Sequence, residues 1–337
     1  MTDVLTTRCR RVLLALDLMP ETANLTAEPL TGGVASDIAK VKVGDDIYCI
    51  KFALPKLRVE ADWYAPVERN YAEYRWLKAV NDIIPEASLK LYGHSAEENG
   101  FAMDFISGEN SYLLKTALFE GKGTERQAAA IGHLLGQIHK ASSDATFDTN
   151  PFHNRDDFYA LRLEPYLVYT AEKHPDICEA LITMSEQLYE TETILIHGDV
   201  SPKNIIFDNE QPYLLDAECA TMGDPAFDLA FCLNHFILKG LYAAEFQKRY
   251  LRLCTAFWTA YQLHINWEEK ESLEARTMRL LPMLMLARVD GKSPVEYFNA
   301  QQKETCRTLA RRLIIAPETL LQQVLRSIAA ASPAKSA

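Results

Sequence analysis

The apolar and polar positions change their period about a third of the way along the chain. Up to about residue 106 they form short apolar or alternating runs bounded by turn residues, the pattern of strands. Leu25–Leu30 reads as one strand, and Thr31-Gly32-Gly33 as the turn after it. Ile38–Val43 and Ile47–Leu54 flank Gly44-Asp45-Asp46 and form a hairpin. Pro66 opens a helix along which Tyr71, Tyr74, Leu77 and Val80 recur at helical spacing. Two more strands, Ser88–Tyr92 and Phe101–Ile106, are joined through Glu97-Glu98-Asn99-Gly100, and Ser107-Gly108 reads as a hinge.

Beyond the hinge the period becomes mainly helical. Thr124–Ala141 carries an N-terminal capping box, with Thr124 as cap and Gln127 three residues on. Asp156–Glu172 and Ile177–Glu190 are further helices. Short strands interrupt at Ile194–Ile196, Ile205–Phe207 and Tyr213–Leu215, and helices return from Pro225 to about Ala331. The expected class is α+β. A small β-rich lobe occupies residues 1–106, a larger helical lobe with a β insert occupies 107–331, and 332–337 form a disordered tail.

Composition narrows the function. The chain has 337 residues with 48% hydrophobic and 24% charged, ordinary for a soluble globular protein. Its net charge of -11 argues against nucleic acid, whose phosphates demand a basic footprint. Arg8, Arg10 and Arg11 precede the apolar run Val12–Leu16, but Asp17 ends that run early, so an amphipathic helix is expected and not a signal peptide. The later run Leu280–Ala287 is far too short to cross a bilayer. The seven cysteines are widely spaced without a CxxC pair, as in reduced thiols. A cytoplasmic protein is expected, with no membrane and no nucleic-acid partner.

The chemistry concentrates in one segment. Ile194-Leu195-Ile196 leads into His197-Gly198-Asp199-Val200-Ser201-Pro202-Lys203-Asn204, and a later apolar strand ends on Asp216-Ala217-Glu218. Two carboxylates and an amide are thereby held on rigid strands beside one loop. Phosphoryl transfer needs that set, because its loose transition state asks the protein to position groups and neutralise charge. One carboxylate orients the acceptor hydroxyl. An amide oxygen and a second carboxylate are hard ligands for Mg²⁺. Taken singly, Asp199 or Asn204 would be read as a turn residue; the full string with Asp216 favours chemistry.

This string, HGDxxxxN then DxE then Gly223-Asp224-Pro225-Ala226-Phe227-Asp228-Leu229-Ala230, resembles the aminoglycoside phosphotransferase and choline kinase family, small-molecule relatives of the protein kinases. The resemblance implies a protein-kinase-like two-lobe fold with ATP between the lobes. It implies Asp199 as catalytic base, with Asn204 and Asp216 as Mg²⁺ ligands. It also asks for a lysine on the third strand and a helical glutamate to hold it, which Lys51 and Glu73 supply. Gly32, Gly33 and Ser36 would cover the phosphates with a turn shorter than a full GxGxxG. Met103 and Phe105 occupy the hinge position expected to meet adenine, although an ordinary buried strand reads the same way. Glu218 either supports the metal or a positive substrate group, or is structural. Lys203 either steadies the transferring phosphate or is an exposed loop cation. His197 and Asp228 are expected to brace the loop.

Two rivals remain. A protein kinase would read HRD and DFG, and the eleven residues between Asp216 and Asp228 leave little room for an activation loop. A catalytically silent nucleotide-binding relative would lose a charged group, whereas Lys51, Glu73, Asp199, Asn204 and Asp216 are all present. The acceptor is a small molecule bearing a hydroxyl: an amino alcohol, an amino sugar, or a sugar such as methylthioribose. Trp258, Tyr261, Trp267 and Tyr297 offer parts of a cage for a quaternary ammonium, or core packing. Glu268, Glu269, Glu271 and Glu274 can meet amines or form a solvated face, while Arg276, Arg279 and Arg288 suit an anion. The charge of the acceptor stays open at this point.

Overall fold

A computed structural model describes residues 2–30, 36–58, 64 and 66–331. Gly32 and Gly33, and the tail at 332–337, lie outside them. The chain opens with helix α1 (Thr2–Ala15). Strands β1 (Leu25–Leu30), β2 (Ser36–Val43), β3 (Asp46–Ala53), β4 (Leu91–Ser95) and β5 (Gly100–Asp104) form an antiparallel sheet in the order β1-β2-β3-β5-β4. Helix α2 (Arg69–Ile83) crosses between β3 and β4. Gly44 makes the β2–β3 hairpin at φ +59°, a conformation glycine adopts without a Cβ penalty.

The two faces of this sheet have different partners. On one, Cys9, Val12 and Leu13 of α1 pack on Ala39, Val41, Ile50, Phe52 and Ala102. On the other, Cys49, Phe101 and Met103 join α2 and the rest of the molecule in one continuous core. Alternation along β3 and β5 sends successive side chains to these two cores.

The remainder is helical around two small sheets. Strand β6 (Ser111–Leu113) and helix α3 (Leu114–Phe119) follow the hinge, then α4 (Glu125–Ser142). α5 (Arg155–Phe158) runs through a π-helical stretch, Tyr159–Val168, into α6 (Tyr169–Lys173); α7 (Cys178–Glu190) comes next. Pro165 lies inside the π-helical stretch and cannot donate an N–H, which suits the looser ladder there. Strands β7 (Ile194–Ile196), β8 (Ile205–Asp208), β9 (Gln211–Leu214) and β10 (Thr221–Gly223) frame the loop segment; β7 pairs with β10, and β8 lies between β6 and β9. Helices α8 (Pro225–Tyr242), α9 (Gln247–Tyr261), α10 (Lys270–Asp290), α11 (Ala300–Ile315) and α12 (Leu321–Ala331) close the chain.

Most predicted elements sit within a few residues of their places, and five differ for physical reasons. β4 starts three residues late, because Pro85–Ala87 form a 3-10 turn that runs into Ser88. β5 ends at Asp104, so Phe105 and Ile106 are outside it. β6 and β10, three residues each, carry too little pattern to be read from the chain. On α2 the buried stripe is Arg69, Asn70, Ala72, Glu73, Trp76, Leu77 and Val80, while Tyr71 is exposed under the Arg75 guanidinium.

Candidate active site

The site is built where α2 and β3 meet the loop after β7. Lys51 points off β3 and Glu73 off α2, and both are buried. Lys51 Nζ lies 2.5 Å from Glu73 Oε2 and also pairs with Asp216 Oδ1. The backbone N–H of Asp216 donates to Glu73 Oε1 at 2.9 Å. Asp216 lies two residues past the end of β9, not on the strand end the sequence suggests, and has φ +70°, a left-handed conformation costing a non-glycine residue about 1–2 kcal/mol. Burial opposes ionisation of its carboxyl, but Lys51 and Lys203 hold it below the usual range. Burial drives Glu73 upward, with Asp216 and Glu218 adding to that and Lys51 opposing it.

Glu218, two residues on, is also buried. Its Oε2 accepts from Arg69 Nε at 2.8 Å, its Oε1 accepts from the Ser36 hydroxyl, and Lys51 Nζ is 3.5 Å away. The oxygens of Glu73, Asp216 and Glu218 converge within 4.8 Å, but the Lys51 ammonium already stands among them. Glu218 therefore ties Ser36 and α2 to the segment after β9.

The loop itself is braced from below. Asp228 on α8 accepts from the backbone N–H of His197 at 2.7 Å and of Gly198 at 2.8 Å. His139 Nε2 lies 3.4 Å from the same carboxylate, and its Nδ1 meets the Tyr261 hydroxyl at 2.8 Å. His197 Nε2 reaches the Leu215 carbonyl at 3.1 Å, and its Nδ1 accepts from the Asp199 N–H at 3.1 Å. That pairing specifies one neutral tautomer, in keeping with burial, which pushes the imidazole below its ordinary value. Gly198 has φ +76°, and a Cβ there would stand 2.8 Å from the Cys219 Cβ, so the middle residue of His197-Gly198-Asp199 must be glycine. Trp76 packs edge-on against His197 at 4.8 Å and couples α2 to the loop.

Asp199 is buried with its two oxygens treated differently. Oδ2 accepts from Arg162 at 2.8 Å and lies 3.1 Å from Lys203 Nζ. Among the described residues, Oδ1 has no hydrogen-bond partner. Burial alone would raise this carboxyl; Lys203, Arg162 and His197 outweigh it and hold it well below the usual carboxylate range. Asn204 donates Nδ2 to the Asp199 carbonyl at 3.1 Å, which turns its amide oxygen the other way. Lys203 is half-exposed and stands between the two carboxylates, 3.9 Å from Asp216 Oδ2.

Arg162 is the residue the sequence reading passed over. It comes from the π-helical stretch, donates Nε to the Gly198 carbonyl at 2.6 Å, and holds Asp199 as well. No motif surrounds it, and a lone arginine in a helical segment carries no signal of its own.

The hinge residues divide. Met103 faces the shared core with Cys49 and Phe101, whereas Phe105 is half-buried with the Lys40 ammonium 4.7 Å from its ring centre. The proposed ammonium cage does not assemble. Trp258, Tyr261 and Trp267 pack together beside His139, while Tyr297 belongs to a separate cluster with Phe119 and Tyr242. Of the three arginines, Arg276 is spent on Asp224 and Glu268, Arg279 is exposed, and Arg288 faces Tyr166 and Ser293. A concavity of about 740 Å³ opens elsewhere, between Ile83, Lys140, Asp144 and Trp267, and its lining includes none of Lys51, Glu73, Asp199, Asn204 and Asp216.

A five-stranded sheet with a buried lysine–glutamate pair, set over a helical body carrying a carboxylate loop and an aspartate just past a strand end, is the protein-kinase-like fold. The chain belongs to the phosphotransferase enzyme family, whose model matches residues 26–264. A methylthioribose kinase of Bacillus cereus (strain AH820) is 23% identical over 258 residues. That match covers 67% of this chain and 64% of the relative, so the matched region spans under two thirds of that protein. Among solved structures, choline kinase LicA from Streptococcus pneumoniae superposes with a TM-score of 0.52 at 16% identity, over 92% of this chain and 99% of its own. Amicoumacin kinase hAmiN, solved in complex with AMP-PNP, Ca²⁺ and Ami, does so at 0.54 and 12% identity, over 96% and 100%. At these identities the structures speak for the fold.

Among the described residues, no helix is long and apolar enough to cross a membrane.

Proposed function

We propose that the protein transfers the γ-phosphate of MgATP to a hydroxyl of a small molecule. The observation that carries this reading is Asp199: buried, ionised, with Oδ2 fixed by Arg162 and Lys203 and Oδ1 left unpaired. A carboxylate in that state is a ready acceptor for one hydroxyl proton donor. Because its basicity is depressed, Asp199 mainly orients the hydroxyl and takes the proton late, which is what a loose transition state requires. Arg162 is a positioning residue that acts through Asp199 and the Gly198 carbonyl.

The donor set suits a nucleotide and a hard divalent ion. Asp216 and the amide oxygen of Asn204 would hold Mg²⁺, which neutralises the phosphate charge when bound. Lys51, kept in place by Glu73, would meet the phosphate oxygens; with three carboxylates around it, it keeps its charge despite burial. Ser36, with Gly32 and Gly33, which lie outside the described residues, would cover the phosphates, and the backbone after Met103 would bond the adenine edge, with Phe105 beside the ring. Lys203 stands where a transferring phosphate would pass between Asp199 and Asp216. His197 and Asp228 hold the loop. The AMP-PNP in the amicoumacin kinase complex supports ATP as donor.

The test is acceptor-dependent ADP release from MgATP with amino alcohols, amino sugars and sugars, products being confirmed by mass. Turnover that Asp199→Asn lowers by roughly 10²–10⁴, with MgATP affinity nearly unchanged, supports the reading. MgATP that binds without any acceptor being phosphorylated makes the protein a silent nucleotide binder. Loss of MgATP binding in Asp199→Asn would reassign Asp199 to structure or metal.

A further inference from the structure

One face of α8 leads away from the catalytic loop. Asp228 holds the loop; Phe231, His235 and Lys239 follow at helical spacing. The Arg162 guanidinium lies 5.9 Å over the Phe231 ring, and that ring is 5.6 Å from Tyr166. Arg288 of α10 lies 5.9 Å over Tyr166 on the next step. From Asp199 outward the wall is thus Arg162, His235, Arg288 and Lys239, with aromatic rings between them.

Arg162 is paired with Asp199 and burial holds His235 neutral, so the part of this wall left without a counterion is Arg288 and Lys239. Among the described residues, no carboxylate stands within 4.0 Å of Arg288 or Lys239. Arg288 spends one nitrogen on Ser293 and Tyr166, and its buried Nε has no acceptor. The hydroxyl of Tyr297, also buried, has none either. Lys239 is buried with its ammonium 3.5 Å from the centres of the Phe119 and Tyr297 rings. Burial, then the charges of Lys115 and Arg288, push its pKa down to about 7, against the exposed Glu296. Burial also holds His235 neutral, and Arg288, Lys239 and Lys203 add to that, against Asp199. Buried cations and unpaired donors of this kind are costly unless something answers them.

We propose that the acceptor carries an oxyanion, a carboxylate or a phosphate monoester, seated against Arg288, Lys239 and the Tyr297 hydroxyl while its own hydroxyl meets Asp199. The inference rests on the phosphotransfer reading for what happens at Asp199, but the anion site itself binds with or without transfer. It runs opposite to an amine acceptor, since the wall repels one.

The experiment compares ribose, ribose 5-phosphate, ribonate, glucosamine and choline, both as acceptors with MgATP and as ligands by calorimetry. An anionic member is expected to exceed ribose by about 10- to 100-fold in kcat/KM or affinity, the scale of one charged hydrogen-bonded contact. Arg288→Met should remove that advantage, chiefly in KM, and Arg288→Lys should restore part of it. Lys239→Met gives a second, independent arm, and MgATP affinity within about twofold of the parent shows that each variant is folded. Ribose 5-phosphate against ribonate decides between phosphate and carboxylate. Preference for ribose, glucosamine or choline, failure of both anions to bind, or equal loss on all acceptors in Arg288→Met would overturn the inference. Phosphorylation of a neutral or cationic acceptor in preference to both anions overturns the anion site and leaves phosphotransfer standing. Arg288-dependent anion binding without any phosphorylation does the reverse.

Discussion

At the residue scale, Arg162 has the most to reveal. Its guanidinium is one of the charges that keep Asp199 ionised below the usual carboxylate range. Removing it moves protonation of Asp199 to higher pH, so the acid limb of kcat/KM should shift upward in Arg162→Met, beyond a fall in rate. A lower rate with an unmoved limb would mean that Arg162 acts only through the Gly198 carbonyl. The sign for stability is the same. A depressed folded pKa contributes stability above the ordinary carboxylate value, and that contribution is lost as pH falls through the folded value. Asp216 gives a separate test: Asp216→Ala should abolish Mg²⁺-dependent turnover, and retained activity with unchanged Mg²⁺ dependence would remove it from the metal site. Residues such as Asp199, Asn204, Lys51 and Glu73 could be picked out because each sits in a motif or on a patterned element. Arg162 and Lys239 could not, and Arg288 could be named only as one of three helical arginines suited to an anion, because their meaning lies in which helices meet, and a single chain does not record that.

At the element scale, local chemistry explains why several segments read correctly. The α4 cap forms as its sequence dictates, Thr124 Oγ1 accepting from the Gln127 N–H at 3.2 Å and Gln127 Oε1 from the Thr124 N–H at 2.9 Å. α8 starts on Asp224, whose carboxylate accepts from the Ala226 N–H at 2.9 Å and is gripped by Arg276 through both oxygens. Asp224→Ala should therefore lower unfolding stability by roughly 1–3 kcal/mol, read as a shift in the urea midpoint. Because α8 also carries Asp228, part of that loss should appear as slower turnover. The stretch 155–173 was legible as helix but not as π-helix. Pro165 hints at irregularity, yet the wider turn that presents Arg162 depends on packing against α7 and the catalytic loop.

At the scale of the whole molecule, the sheet and the helical body are joined through a few buried ionic groups: Lys51 and Glu73 to Asp216, and Ser36 and Arg69 to Glu218. Taking away one member of such a set leaves its partners charged and buried, which typically costs about 3–5 kcal/mol. Glu218→Ala should lower stability on that scale, measured by thermal or urea unfolding, where a contribution to catalysis alone would leave it unchanged. A ligand bridging the same groups stabilises by mass action. MgATP at a hundredfold excess over its Kd should add about 2.7 kcal/mol, and chelation of Mg²⁺ should reduce that gain. The two-lobe plan was legible because the change from strand to helix period falls at the hinge. The placement of the aromatic residues was not, since at helical spacing they look alike whichever neighbours they meet: Tyr261 is buried beside His139, whereas Tyr297 packs with Phe119 and Tyr242.

Phe119, Tyr242 and Tyr297 enclose the kind of space that welcomes an ammonium head, and the protein furnishes that head from its own α8. A tethered group competes with a diffusing one at an effective concentration in the millimolar range or higher. A methylated amine arriving from solution would have to evict Lys239 before it could be held. Part of the discrimination against amines would then rest on one removable side chain, and Lys239→Ala would vacate the box without redrawing the backbone around it.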